Sequence, residues 1–178
     1  MNVSNLDTVP VTLVLGGAAS GKSRFAQALA ERAAGSLLYV ATAHAGDEEM
    51  GLRIARHQQA RGERWHTLEA PLDLTAVAPA AAGHAAVLVD CVTLWLTNLL
   101  LAGGSAAAAW PAVDAFVASL VDVSTPLILV SNEVGQGIVP EHALARAFRD
   151  LAGEVNQRLA ARADRVWLVT AGLPLQLK

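Results

Sequence analysis

Short, almost uninterrupted apolar runs alternate along this chain with longer segments in which Ala, Leu and Arg mix. The runs Val11–Leu15, Leu37–Ala41, Ala86–Asp90, Leu127–Ser131 and Val166–Thr170 show no period-2 alternation. Strands read this way when both faces of their sheet are covered. The segments between them predict helices over Lys22–Ala34, Asp47–Gly62, Leu72–Ala82, Val92–Leu101 and Glu141–Ala163, with a less regular pattern near Ala108–Val121. In the last long segment Leu144, Phe148 and Leu151 recur at near-helical spacing among Arg146, Arg149 and Asp150, which predicts an amphipathic helix laid on a sheet. Strand–helix alternation of this kind argues an α/β fold, a mostly parallel sheet flanked by helices. No linker and no repeat interrupts the chain, so a single domain over residues 1–178 is expected, with Gly103–Ala109 as a surface loop.

Composition narrows the function. Apolar residues make up 53% of the 178 and charged ones 16%, with 13 Lys+Arg against 16 Asp+Glu for a net charge of -3. High apolar content with low net charge excludes a disordered chain, and the absence of a pervasive basic surface argues against nucleic acid as a partner. Any anion site is therefore local. Cys91 is the sole cysteine, which excludes an intrachain disulfide and a cysteine-based zinc cluster and fits a small buried hydrophobe in a reducing compartment. Met1–Pro10 has neither the basic nor the apolar region of a signal peptide, so a cytoplasmic location is expected. The apolar stretch Ala85–Ala102 is broken by Asp90, Thr93, Thr97 and Asn98, which reads as core and predicts no membrane span.

Directly after the first strand stand Gly16, Gly17, Ala18, Ala19, Ser20, Gly21, Lys22 and Ser23, a complete G-x-x-x-x-G-K-[ST] match between a strand and a helix. The glycines allow backbone angles at which successive N–H groups converge on a triphosphate. The helix starting near Lys22 adds its positive dipole end. Lys22 supplies a mobile charge for the β and γ phosphates, and the Ser23 hydroxyl suits Mg²⁺. Asp90 closes the Ala86–Asp90 run, at the end of a neighbouring strand where such enzymes hold a second metal anchor. A helix cap for the Val92 segment is the alternative.

After the second strand, Asp47, Glu48 and Glu49 complement a helix dipole, and Arg53, His57, Arg56 and Arg61 then form one cationic stripe. That stripe is either a solvated basic face that includes a histidine, or a set of arginines receiving phosphate charge around His57 as base or nucleophile. His44 follows a strand end, whereas His66, His84 and His142 read as surface or cap positions, and no two histidines have metal-ligand spacing. There is no G-x-S-x-G turn. Glu69 either accepts from a guanine edge or ribose, or caps a helix opening at Leu72. The Asn132–Pro140 loop is either a connector or a ligand contact at the carboxyl edge of the sheet. Trp65, Trp95, Trp110 and Trp167 read as core or subunit-interface residues.

Several segments together resemble a known family, the bifunctional adenosylcobinamide kinase/adenosylcobinamide-phosphate guanylyltransferases of cobalamin assembly. The resemblance rests on LVLGGAASGKSRFAQALA at Leu13–Ala30, YVATA at Tyr39–Ala43, DEEMGLRIARHQQAR at Asp47–Arg61, and W-x-T-x-E-x-P from Trp65 to Pro71. It continues through LVDCVTLWLTNLL at Leu88–Leu100, the long segment Ser131–Val169 that opens with SNEVGQGIVP, and TAGLPLQLK. It implies a P-loop NTPase of RecA-like type assembled as a homotrimer. The substrates would be adenosylcobinamide and its phosphate together with ATP and GTP. His57 would be the residue that becomes guanylylated, with Lys22 as its catalytic companion. By the same resemblance GTP would contact Gly16, Gly17, Ala18, Ala19, Ser20, Gly21, Lys22 and Ser23, then Ala41, Thr42 and Ala43. It would also meet Gln58, Gln59, Ala60 and Arg61, and Glu69 and Asp90, with Mg²⁺ at Ser23 and Asp90. The family usually carries arginine where this chain has Ala19, so one phosphate or subunit-contact charge is absent. The rival readings are another P-loop kinase of a small metabolite, with His57 structural, and a RecA-like NTPase without guanylyl transfer.

Overall fold

A computed structural model describes residues 11–43 and 62–178. The five apolar runs are strands, named here β1 (Val11–Gly16), β2 (Leu37–Ala41), β4 (Ala86–Asp90), β5 (Leu127–Asn132) and β6 (Arg165–Thr170). Two more strands border them: β3 (Trp65–Glu69) and β7 (Leu173–Gln176). The seven form one sheet in the order β3-β2-β4-β5-β1-β6-β7, parallel except for the antiparallel β6–β7 pair.

The uninterrupted apolar runs have the predicted cause. Leu13, Leu15, Val87, Val89, Leu127 and Leu129 face a core shared with three helices, while Val14, Leu88, Ile128 and Val130 face the other side. The three are α3 (Val92–Gly103), α4 (Ala106–Ser119) and α5 (Ala143–Arg162), and the opposite face packs on α1 (Lys22–Ala30). Trp95 and Phe116 meet edge to face at 5.4 Å in the larger core, and Phe25 meets Trp167 at 5.3 Å on the α1 side. Trp110 instead lies under the Arg158 guanidinium, 4.3 Å from its ring centre.

Several boundaries differ from the sequence expectation. The helix expected over Leu72–Ala82 shrinks to the single turn α2 (Val77–Ala80), because the preceding residues form an Asp73–Thr75 turn in which the Thr75 N–H donates to Asp73 Oδ1 at 2.8 Å. Gly103–Ala109 is not a loop: Gly104, at φ 70°, ends α3, and the Ser105 hydroxyl accepts from the Ala108 N–H at 3.3 Å to start α4. Leu144 is 49% exposed, so the buried stripe of α5 starts later and runs through Leu151, Ala152, Val155, Asn156 and Leu159. The helix expected over Asp47–Gly62 lies outside the described residues except for Gly62. Among the described residues no helix is long and apolar enough to cross a membrane.

Candidate functional site

Parallel strands all end on one edge of a sheet, and ligands of open α/β sheets bind there. Register fixes which side chains that edge presents. Ala41 pairs with Glu69 on one side and with Asp90 on the other, so the ends of β3, β2 and β4 are level. Gly16, where β1 becomes the phosphate loop, pairs with Asn132 of β5. Asp90, expected on a strand beside β1, lies one strand further out, since β5 intervenes.

The distance is closed by α1. Gly21, at φ 93°, turns the chain into that helix, and Ser23 Oγ in its first turn reaches 3.4 Å from Asp90 Oδ1. The other carboxylate oxygen faces the Tyr39 hydroxyl at 3.5 Å. A hydroxyl and a carboxylate oxygen this near are the hard donors magnesium prefers, close to the roughly 3 Å edge of its octahedron of oxygens at about 2.1 Å. Among the described residues no cluster of three or more His, Cys, Asp or Glu forms. Two protein oxygens suit a cation that keeps waters and phosphate oxygens as its remaining ligands.

Lys22 is only 8% exposed and folds back over the loop, its ammonium donating to the Gly17 carbonyl at 3.0 Å. Ala19, at φ 54°, holds the left-handed angle of a nest of N–H groups, and Ala18 and Ala19 are exposed. The Ser20 hydroxyl is buried beside Gly16, with no hydrogen-bond partner among the described residues. Beside the loop opens a cleft of about 410 Å³ lined by Ala19 to Arg24 and by Ala171 and Gly172 of the β6–β7 turn. A second cleft of about 220 Å³ runs along α1, lined by Ser23, Arg24, Gln27, Ala28, Glu31, Tyr39, Leu88 and Asp90.

The structure removes two alternatives. Cys91 caps α3, its sulfur accepting from the Leu94 N–H at 3.4 Å, so Asp90 is not the cap. No helix opens at Leu72, so Glu69 caps nothing there and stands exposed at the ligand edge. Thr42 is fully buried, and its hydroxyl is held by Cys91, donating to the carbonyl and accepting from the N–H, both at 2.8 Å. Its side chain is structural, whereas Ala41 and Ala43 border the edge half-buried. His57, Gln58, Gln59, Ala60 and Arg61 lie outside the described residues, as do His44, Arg53 and Arg56. Ala43, the last described residue before them, follows the end of β2, which is level with Asp90.

Other residues position this edge without a sequence signal. Asn98 Nδ2 donates to the Thr42 carbonyl at 2.8 Å and the Pro71 carbonyl at 2.9 Å, tying the ends of β2 and β3 together. Asn156 receives the Ser131 hydroxyl at 2.7 Å and donates to the Asn132 carbonyl and Glu133 Oε1, so α5 holds the start of the Asn132–Pro140 loop. That loop begins against the phosphate loop, with the Glu133 N–H donating to the Gly16 carbonyl at 3.1 Å. These are pairings between elements distant in sequence, and no local pattern announces them.

The sequence pattern of a family described as cobinamide kinase / cobinamide phosphate guanyltransferase matches residues 12–177. The bifunctional adenosylcobalamin biosynthesis protein CobP of Pseudomonas aeruginosa is 48% identical over 168 residues, covering 93% of this chain and 96% of that protein. Its counterpart CobU of Salmonella typhimurium is 45% identical over 179 residues, covering 93% and 98%. Among solved structures, an ATPase from the type III secretion system of pathogenic bacteria superposes with a TM-score of 0.56 at 10% identity, over 90% of this chain and 51% of that one. At that identity the likeness concerns the fold alone, and the fold is that of a P-loop NTPase.

Proposed function

The chain belongs to the cobinamide kinase/cobinamide phosphate guanyltransferase family, and from that premise we propose the following two-step chemistry for its own residues. Adenosylcobinamide is phosphorylated by ATP or GTP, and GMP from GTP is then transferred through His57 to adenosylcobinamide phosphate, giving adenosylcobinamide-GDP. The observation that supports both steps is the juxtaposition of Lys22, Ser23 and Asp90 at the sheet edge, with the Ser23 and Asp90 oxygens 3.4 Å apart.

In the kinase step the substrate's aminopropanol oxygen forms a bond to the γ-phosphorus. The bond to the β,γ-bridging oxygen breaks, its electrons leave on the diphosphate, and the hydroxyl proton passes to solvent. Phosphoryl transfer needs positioning and charge stabilisation more than covalent help from the protein. The loop N–H groups fix the phosphates, and Lys22 places its charge at the β and γ oxygens. Ser23 and Asp90 would hold Mg²⁺, which when bound neutralises charge on those same oxygens.

In the transferase step a nitrogen of neutral His57 bonds to the α-phosphorus of GTP and pyrophosphate departs with the bridging electrons. An oxygen of adenosylcobinamide phosphate then displaces the imidazole. Histidine suits this role because an unperturbed imidazole titrates at about 6.5, is neutral in useful fraction at pH 7, and leaves readily from phosphorus. Lys22 serves again, now steadying pyrophosphate as it leaves. The reading extends to nucleotide contacts at Gly16 to Ser23, Ala41 to Ala43, Gln58 to Arg61 and Glu69, to a single domain, to a homotrimer and to the cytoplasm, each supported by the family resemblance.

Incubation with GTP labelled at the α-phosphate tests it. Denatured wild-type protein is expected to retain acid-labile, base-stable label, and His57→Ala to retain none while keeping γ-phosphoryl transfer to adenosylcobinamide. Unlabelled wild-type protein would leave a kinase or a nucleotide-driven binder, and equal loss of both activities in His57→Ala would remove the nucleophile from that residue.

A further inference from the structure

Arg24 stands one residue beyond the phosphate-loop motif, in the first turn of α1. That is an unfavourable place for a cation, since the positive end of the helix dipole lies there. No acidic residue in that turn offsets Lys22 and Arg24. Among the described residues Arg24 makes no ion pair or hydrogen bond, and its side chain is exposed.

Helical side chains reach back over the preceding turn, and here the guanidinium ends over two glycines. A methyl group built on Gly21 or on Gly172 would stand 3.6 or 3.4 Å from Arg24 Nη2. Both glycines hold left-handed backbone, at φ 93° and 80°. The Gly172 N–H donates to the Ser20 carbonyl at 2.8 Å, which fixes the β6–β7 turn against the phosphate loop. Arg24, Ala171 and Gly172 thus share one wall of the larger cleft.

Lys22 and Arg24 are two residues apart, about 200° around a helix with 3.6 residues per turn. The lysine of such a loop reaches the β and γ phosphates, while the loop backbone cradles α and β. Arg24 lines the same cleft as Lys22 from the other side of the helix, where a cation is placed for the α end of the triphosphate, which the lysine does not reach. We propose that Arg24 binds the α-phosphate of the nucleotide and supports guanylyl transfer in preference to the kinase step. The second half of that statement rests on the function proposed above.

The balance of the step shows why charge is needed there. As the imidazole nitrogen bonds to the α-phosphorus, the bond to the α,β-bridging oxygen breaks and its electrons leave on pyrophosphate. The proton of the other ring nitrogen goes to solvent. Charge gathers on the non-bridging α oxygens, and a planar guanidinium offers two parallel N–H groups to two such oxygens.

Calorimetric titration of the full chain with GDP, GDPαS and GDPβS tests the contact without any turnover. Arg24→Gln is expected to weaken GDP binding by about ten-fold. The penalty that sulfur at the α position imposes on wild-type binding should vanish in Arg24→Gln, and the β-sulfur penalty should persist. Unchanged GDP affinity, or coupling to the β sulfur, overturns the contact. With saturating α-labelled GTP, Arg24→Gln should slow adduct formation by about 100-fold, with Arg24→Lys recovering part, whereas for γ transfer the loss should fall on the KM for ATP, by about ten-fold, more than on kcat. Equal slowing of both steps overturns the preference for guanylyl transfer. A wild-type protein that forms no adduct removes the transferase step itself, while the sulfur titration still decides the contact.

Discussion

Cys91 carries two roles on one sulfur. Its thiol is pushed from 9.0 up to about 11, chiefly by burial and next by the negative charge of Asp90. The neutral sulfur accepts the Leu94 N–H at the head of α3. Because the unfolded thiol loses its proton first, the folded state is unaffected below pH 9.0, loses stability as pH rises from there, and reaches its full penalty near pH 11. A rise of that size corresponds to about 3 kcal/mol at most. Urea unfolding of wild type and Cys91→Ala between pH 8 and 11 reads this as a difference: the wild-type midpoint should fall more steeply, and parallel curves would contradict the raised pKa. The sequence is sufficient to place Cys91 in the core as a small hydrophobe. Its capping contact with Leu94 is local but unannounced, because cysteine is not among the preferred cap residues, whereas the Thr42 hydroxyl bound to the Cys91 backbone and the Tyr39 hydroxyl beside Asp90 depend on which strands become neighbours.

Among elements, the central strands were legible and the edges were not. A strand covered on both faces needs apolar residues at every position, and β1, β4 and β5 carry that mark. β3 reads Trp-His-Thr-Leu-Glu with most positions open to solvent, and all four residues of β7 are exposed, with Pro174 among them. Edge strands face solvent on one side and tolerate proline, so their composition resembles that of a loop. The phosphate loop was legible for the opposite reason, since its geometry leaves few residue choices. A Cβ at Gly16 would meet the Val169 carbonyl at 2.5 Å and Ser20 Oγ at 2.6 Å, whereas one at Gly17 meets nothing within 4 Å. Gly16→Ala therefore has to displace the β6 backbone and is expected to cost about 1–3 kcal/mol, as overpacked sites do. Gly17→Ala should stay within about 0.5 kcal/mol of wild type. Thermal melts of the two nucleotide-free variants separate them, and equal melting temperatures would show that the contact at Gly16 relaxes without cost.

At the scale of the whole molecule, the sheet order explains how residues 67 positions apart in sequence come to share a site. β5 lies between β1 and β4, yet α1 leans across that strand and brings Ser23 to Asp90. Any ligand that bridges this pair also bridges the phosphate loop and the Asp90 strand, and it stabilises the fold as a unit. At 100 times its dissociation constant a ligand adds about 2.7 kcal/mol to a native state that alone binds it. For a domain of this size each kcal/mol raises the melting temperature by roughly 2–4 °C, so saturating GTP with magnesium should raise it by about 5–11 °C. Part of that rise belongs to the metal and part to the phosphate cradle. Asp90→Asn keeps the side-chain volume and removes the negative charge, so the increment that magnesium adds to the GTP shift should disappear. The increment from GTP in excess chelator should stay, because the loop N–H groups and Lys22 are untouched. Each variant is compared with its own ligand-free melt, which cancels any direct effect of the substitution on the fold. A magnesium increment in Asp90→Asn equal to that of wild type would mean the metal is held without Asp90, and the pairing with Ser23 would then be packing alone.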